Sequence, residues 1–115
     1  MREFLFLFRG GESGKMDGQQ SSEDWQAYMQ RWMHWMQDLT DQGRFVSSEP
    51  LRDAGKVISN KGNVITDGPF TEGKEIVGGY LICKAESLEE AVEFSKGCPI
   101  FDYEDGTVEV REINK

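Results

Sequence analysis

Arg2-Glu3-Phe4-Leu5-Phe6-Leu7-Phe8-Arg9 decides the fold. Aromatic weight and apolar residues at consecutive positions, bounded by charges, read as a β-strand that wants burial on both faces. The stretch Ile76 to Cys83 has the same character, with Gly78 and Gly79 inside it. Glycine within a strand marks a bulge or a close backbone approach.

Between these strands the chain is punctuated clearly. Gly10 to Gln20 is polar and glycine-rich, a loop. Ser21 or Ser22 caps a helix, with Glu23 and Asp24 in its positive first turn. Trp25, Met29, Trp32, Met33, Met36 and Leu39 then recur at three- and four-residue spacing, one apolar stripe, with Trp35 partly off it and Gly43 as the stop. Arg44 to Leu51 reads as a strand. Lys56–Ser59 and Asn63–Thr66 flank Asn60-Lys61-Gly62, which predicts a hairpin. Asp67-Gly68-Pro69-Phe70 breaks the chain, since the residue before proline is pushed to extended backbone.

After the Ile76 strand, Ser87-Leu88-Glu89-Glu90 is a capping box. It opens a helix carrying Leu88, Ala91, Val92 and Ser95, with Phe94 beside them, that Gly97 and Pro99 end. Thr107 to Ile113 alternates as a final strand. Without the hairpin the order is βαββαβ, a ferredoxin-like α+β layer. Two helices cover one face of such a sheet, yet two strands are apolar on both. A second copy of the chain, sheet against sheet about a two-fold axis, is the economical cover, which predicts a homodimer.

Composition sets the outer bounds. The 115 residues make one domain, residues 1–115. Thirteen Lys and Arg against 21 Asp and Glu give a net charge of −8, which argues against nucleic-acid and anionic-membrane partners. No apolar run approaches the ~20 residues that span a bilayer, and Phe4–Phe8 is too short for a signal-peptide core. Two cysteines, Cys83 and Cys98, make no disulfide framework. The expectation is a cytoplasmic protein with reduced thiols and no cofactor.

Val64-Ile65-Thr66-Asp67-Gly68-Pro69-Phe70, Thr71-Glu72-Gly73-Lys74-Glu75 and Val77-Gly78-Gly79-Tyr80 together resemble the DGPF-motif branch of the YCII-related family. Ser87-Leu88-Glu89-Glu90-Ala91, Gly97-Cys98-Pro99 and Val108-Glu109-Val110-Arg111 continue the match. The resemblance implies a dimeric α+β barrel with a ferredoxin-like subunit. Most of this family has no assigned biochemical function; some relatives are small-molecule enzymes with a proposed His–Asp pair, and related domains occur attached to transcription-factor architectures. The single histidine here, His34, lies about 200° from Trp32 on a helical wheel and so off the apolar stripe. Trp32 stands roughly where such relatives place their helix histidine, so a catalytic His–Asp pair does not carry over.

Asp67 is the foremost candidate carboxylate for acid–base work, with ordinary Asp-Gly turn chemistry as the competing reading. Trp32 and Phe70 are candidates for an apolar wall. Lys74 and Glu75, on the approach to the Ile76 strand, are candidates for ligand contact, for pairing with Asp67, or simply for a solvated surface pair. His34 and Asp38, four residues apart, suit a surface hydrogen bond, and a lone histidine is no metal site. Cys98 follows a helix C-terminus, where the dipole disfavours a thiolate, and Cys83 is expected to pack in the sheet. Gly10-Gly11-Glu12-Ser13-Gly14-Lys15 fails as a phosphate loop because Arg9 and Met16 occupy defining positions. Asp102-Tyr103-Glu104-Asp105-Gly106 fails as a calcium loop because Phe101 and Tyr103 occupy ligand positions. Two functions stand: a homodimeric small-molecule-binding protein or enzyme with its pocket between the first helix, the Asp67 loop and the sheet; or a non-catalytic interaction or regulatory module in a transcription-linked or stress-response setting.

Overall fold

In the computed structural model, which describes residues 1–11, 22–52, 54–68 and 76–115, the first strand runs through the interior of a sheet. In chain order the elements are β1 (Arg2–Arg9), α1 (Ser22–Asp41), β2 (Phe45–Pro50), β3 (Gly55–Ser59), β4 (Val64–Gly68), β5 (Val77–Ala85), α2 (Leu88–Ser95), a 3-10 turn (Pro99–Asp102) and β6 (Thr107–Glu112). The main sheet has the order β2-β5-β1-β6, and every neighbouring pair is antiparallel. β3 and β4 pair only with each other, in a separate hairpin. Removing the hairpin leaves the ferredoxin-like βαββαβ arrangement that the chain order predicts. Among the described residues no helix is long and apolar enough to cross a membrane.

The register explains the core. Phe4 pairs with Cys83, Phe6 with Leu81 and Phe8 with Gly79, and all six positions are buried on the face that carries the helices. Burying a phenylalanine side chain stabilises by roughly 1.5–3 kcal/mol, so Phe4, Phe6 and Phe8 anchor the layer. Leu5 pairs with Ile82 and Leu7 with Tyr80, and these four lie half-buried on the opposite face. That face is apolar at its centre and is flanked on β6 by Glu109 and Arg111, which pair with Leu7 and Leu5.

The first helix is rotated from its expected setting. Tyr28, Trp35 and Leu39 are buried, whereas Met33 is 64% and Met29 40% exposed. The inward set is therefore Tyr28, Trp32, Trp35 and Leu39, at spacings of four, three and four. Aromatic rings bury more area than methionine, and the Trp35 indole nitrogen donates to the Phe94 carbonyl oxygen at 3.0 Å, so the helix turns its ring side inward.

Local signals behave as the sequence predicts at α2. The Ser87 hydroxyl oxygen accepts from the Glu90 backbone N–H at 3.1 Å, and the Glu90 carboxylate reaches back to the Glu86 N–H at 2.8 Å. The same carboxylate pairs with Arg44 at 2.9 Å, tying the start of β2 to α2. In the hairpin, Asn60, Lys61 and Gly62 all take positive φ, at 51°, 58° and 89°. Asn and Gly tolerate that region, and this lets the chain reverse between Ser59 and Val64. The 3-10 turn at Pro99–Asp102, for which the sequence carries no clear signal, buries Pro99 and Ile100.

Candidate ligand-binding cavity

A cavity of about 380 Å³ lies between α1, from Trp25 to Met36, and the sheet. Trp25, Tyr28, Met29, Trp32 and Met36 form its helical wall, one side of α1 read at three- and four-residue steps. Phe8, Gly10 and Gly11 close it from β1, Ser48, Glu49 and Pro50 from β2, Gly78, Gly79 and Tyr80 from β5, and Ile100 from the 3-10 turn.

The space exists because the sheet offers bare backbone there. Gly79 faces the helix side, and a Cβ on it would stand 3.0 Å from the Glu49 carbonyl oxygen. Its lack of a side chain lets β2 approach closely and leaves the space under the helix empty. At the end of β1, Gly10 and Gly11 have φ of 72° and 71°, which suits glycine. Their position is clamped: the Gly11 N–H donates to the Asp105 carboxylate at 3.1 Å, and a Cβ on Gly10 would lie 2.0 Å from the Asp105 carbonyl oxygen. Gly10 and Gly11, which line the cavity, are thus held in place by Asp105.

Trp32 is seated by rings on three sides. Phe8 meets it edge-to-face at 5.0 Å between centroids, Trp35 at 5.8 Å and Tyr28 at 6.3 Å. Such pairs contribute about 0.5–1.5 kcal/mol each beyond area burial, so this wall is preorganised. Tyr28 in turn meets Tyr103 edge-to-face at 5.3 Å. Burial pushes the Tyr28 hydroxyl's pKa up to about 12 and that of the Cys98 thiol likewise up to about 12. Cys98 is 3% exposed and Cys83 is fully buried, so neither is a nucleophile at neutral pH.

Of the residues singled out from sequence, the cavity takes in Trp32. Asp67 stands instead on the exposed hairpin, where its carboxylate pairs with Lys56 across β3 and β4. Phe70, Lys74 and Glu75 lie outside the described residues, in the segment that leads into β5; Gly78, three residues beyond Glu75, already lines the cavity. His34 is on the outer face of α1, 3.7 Å from Asp38. Tyr28 was missed from sequence, although the series 25, 28, 32, 35, 39 was there to be read; Gly10, Gly11 and Ser48 carry no sequence signal for a cavity.

The family model of the YCII-related domain matches residues 14–115. The chain belongs to the YCII-related family. No curated protein sequence matches this YCII-related domain. Among solved structures it is similar to 5-chloro-2-hydroxyhydroquinone dehydrochlorinase (TftG) from Burkholderia phenoliruptrix AC1100, solved in complex with 2,5-dihydroxybenzoquinone. The likeness covers 99% of this chain and 94% of that one, at a TM-score of 0.52 and 16% identity. At that identity the likeness is one of fold alone.

Proposed function

We propose that this YCII-related protein is a homodimer that binds a small organic molecule in the cavity between α1 and the sheet, close to the Asp-Gly-Pro-Phe loop. One observation carries the reading: a cavity of about 380 Å³ walled by preseated aromatic rings over a glycine floor. Preformed, mostly apolar hollows of this size are the usual form of small-molecule sites. The neighbouring fold in complex with a small quinone supports the same reading. Phe70, as apolar wall, and Lys74 and Glu75, as polar contacts, remain candidate ligand contacts on the strength of the sequence motif alone. The dimer is assigned to the open sheet face, where Leu5, Leu7, Tyr80 and Ile82 give a self-complementary apolar centre.

An enzymatic role is the stronger form of this reading, with Asp67 as the acid–base group. It requires the hairpin's Asp67–Lys56 pair to open toward a bound ligand. A ligand screen by thermal shift on wild type, Trp32→Ala and Asp67→Ala tests both forms, since a ligand raises stability by RT ln(1 + [L]/Kd). Hits that vanish in Trp32→Ala support the cavity. Hits that also vanish in Asp67→Ala bring that carboxylate into the site, and hits that persist there exclude it. The alternative, an interaction module, is favoured by one feature, the hairpin's exposed Val57, Ile58, Val64 and Ile65. A broad screen without hits would favour it.

A further inference from the structure

We infer that the ligand of this cavity is an uncharged planar aromatic molecule and that the site rejects its carboxylate counterpart. This deepens the binding reading above and rests on it.

The register decides which side chains the sheet offers to the cavity. Ser48 pairs with Leu81 and Pro50 with Gly79, so both lie on the helix-covered face. Glu49 pairs with Tyr80, which puts its carboxylate on the opposite face. It therefore meets the cavity through its main chain. The described lining thus presents ring faces, thioethers and backbone, and no charged side chain.

Several polar groups near the cavity are already engaged. The Ser48 hydroxyl donates to the Tyr80 carbonyl oxygen at 2.9 Å, the Gly11 N–H to Asp105, and the Leu51 N–H to the Gly78 carbonyl oxygen at 2.8 Å. Arg31 lies over the Tyr28 ring, 5.6 Å from its centroid, but it is paired with Asp102 and does not line the cavity. An anion entering would lose its hydration without a charged side chain among the described lining residues to replace it. Tyr28 reports the same environment from within, since burial there holds its hydroxyl in the neutral form. The net charge of −8 opposes an anion's approach as well. A flat neutral ring has the opposite balance, because it stacks on the fixed rings and loses little hydration.

The test uses three probes of one shape: 2-naphthol, 2-naphthoate and trimethyl(2-naphthyl)ammonium, titrated calorimetrically at neutral pH. Wild type is expected to bind naphthol, with naphthoate weaker by at least about tenfold. Met29→Lys supplies the missing cation, because Met29 lines the cavity and is 40% exposed at its mouth. In that variant the ratio of naphthoate to naphthol affinity should rise at least about tenfold over wild type, whatever naphthol itself loses to the altered wall. Equal or tighter wild-type binding of naphthoate overturns the inference and leaves the cavity standing, with Lys74 as the first residue to replace. Tighter binding of the ammonium probe overturns it in favour of cation–π recognition. Binding of naphthol without a rise of that ratio in Met29→Lys also overturns it, because charge would not be the discriminator. If no probe binds wild type, the binding reading itself falls.

Discussion

The Trp35 indole nitrogen donates a 3.0 Å hydrogen bond to the Phe94 carbonyl oxygen, and this bond joins the two helices over the sheet. Trp35 is 7% exposed and stacks on Phe6 with centroids 6.3 Å apart. Replacing Trp35 by Phe keeps most of the ring packing but removes the bond. The Phe94 oxygen keeps a second partner, the Gly97 N–H at 3.3 Å, so the loss should be about 1–2 kcal/mol. Trp35→Ala opens the core and should cost about 3–5 kcal/mol. Urea unfolding measures both; near-equal losses would mean that the bond, not the packing, holds the helices.

Two glycines of nearly equal φ separate strain from crowding. Gly10 and Gly43 have φ of 72° and 73°. A Cβ on Gly43 meets nothing within 4 Å, whereas one on Gly10 would stand 2.0 Å from the Asp105 carbonyl oxygen. Gly43→Ala should therefore cost only the left-handed penalty, about 1–2 kcal/mol. Gly10→Ala must displace the turn that holds the cavity floor, and should cost about 3 kcal/mol or more. Chemical denaturation of the two variants checks the difference. Equal losses would show that the clamp at Asp105 contributes nothing.

These two positions also mark how much was legible in the sequence. The sheet was readable because Phe4–Phe8 and Ile76–Cys83 are apolar at every step, and no helix of that length accounts for such runs. The facing of α1 was not, because Met33 and Trp35 count alike as apolar, while only the larger ring both fills the core and reaches a carbonyl across it. Trp32 was singled out through the family resemblance, as the residue standing roughly where relatives place their helix histidine, and it lines the cavity. The cavity floor was not: Gly10, Gly11 and Gly79 are ordinary loop and strand glycines until the fold stacks them beneath one aromatic helix face. Asp67 illustrates the converse, a residue prominent in the sequence whose carboxylate the fold pairs with Lys56 on an exposed hairpin.

Alkaline pH should weaken the fold in a defined window. Burial raises Tyr28 from 10.0 to about 12, Cys98 from 9.0 to about 12 and Cys83 from 9.0 to about 11. In each case the folded pKa exceeds the unfolded one, so the fold favours the neutral, protonated form. Their contribution is complete below about pH 9, and is lost as pH rises through the folded values. Thermal melts should show Tm falling between about pH 9 and 12. Tyr28→Phe, which has no hydroxyl to ionise, should fall less steeply above pH 10. Parallel curves for wild type and Tyr28→Phe would contradict the assignment.

The open sheet face makes the dimer testable without disturbing the core. Leu7 lies between Glu109 and Tyr80 in the register, on the face opposite the described helices. A lysine there is tolerable in a single chain, because the position is half-exposed and Glu109 stands beside it. Between two packed sheets the same lysine would be buried against the partner's apolar centre, a heavy penalty for an unpaired charge. Leu7→Lys should therefore turn a dimer into a folded monomer. Light scattering at micromolar concentration reads the mass, and circular dichroism reads the fold. A wild-type monomer, or a Leu7→Lys dimer of undiminished strength, would remove the sheet-to-sheet interface and return Leu5, Leu7, Tyr80 and Ile82 to the status of an uncovered apolar patch.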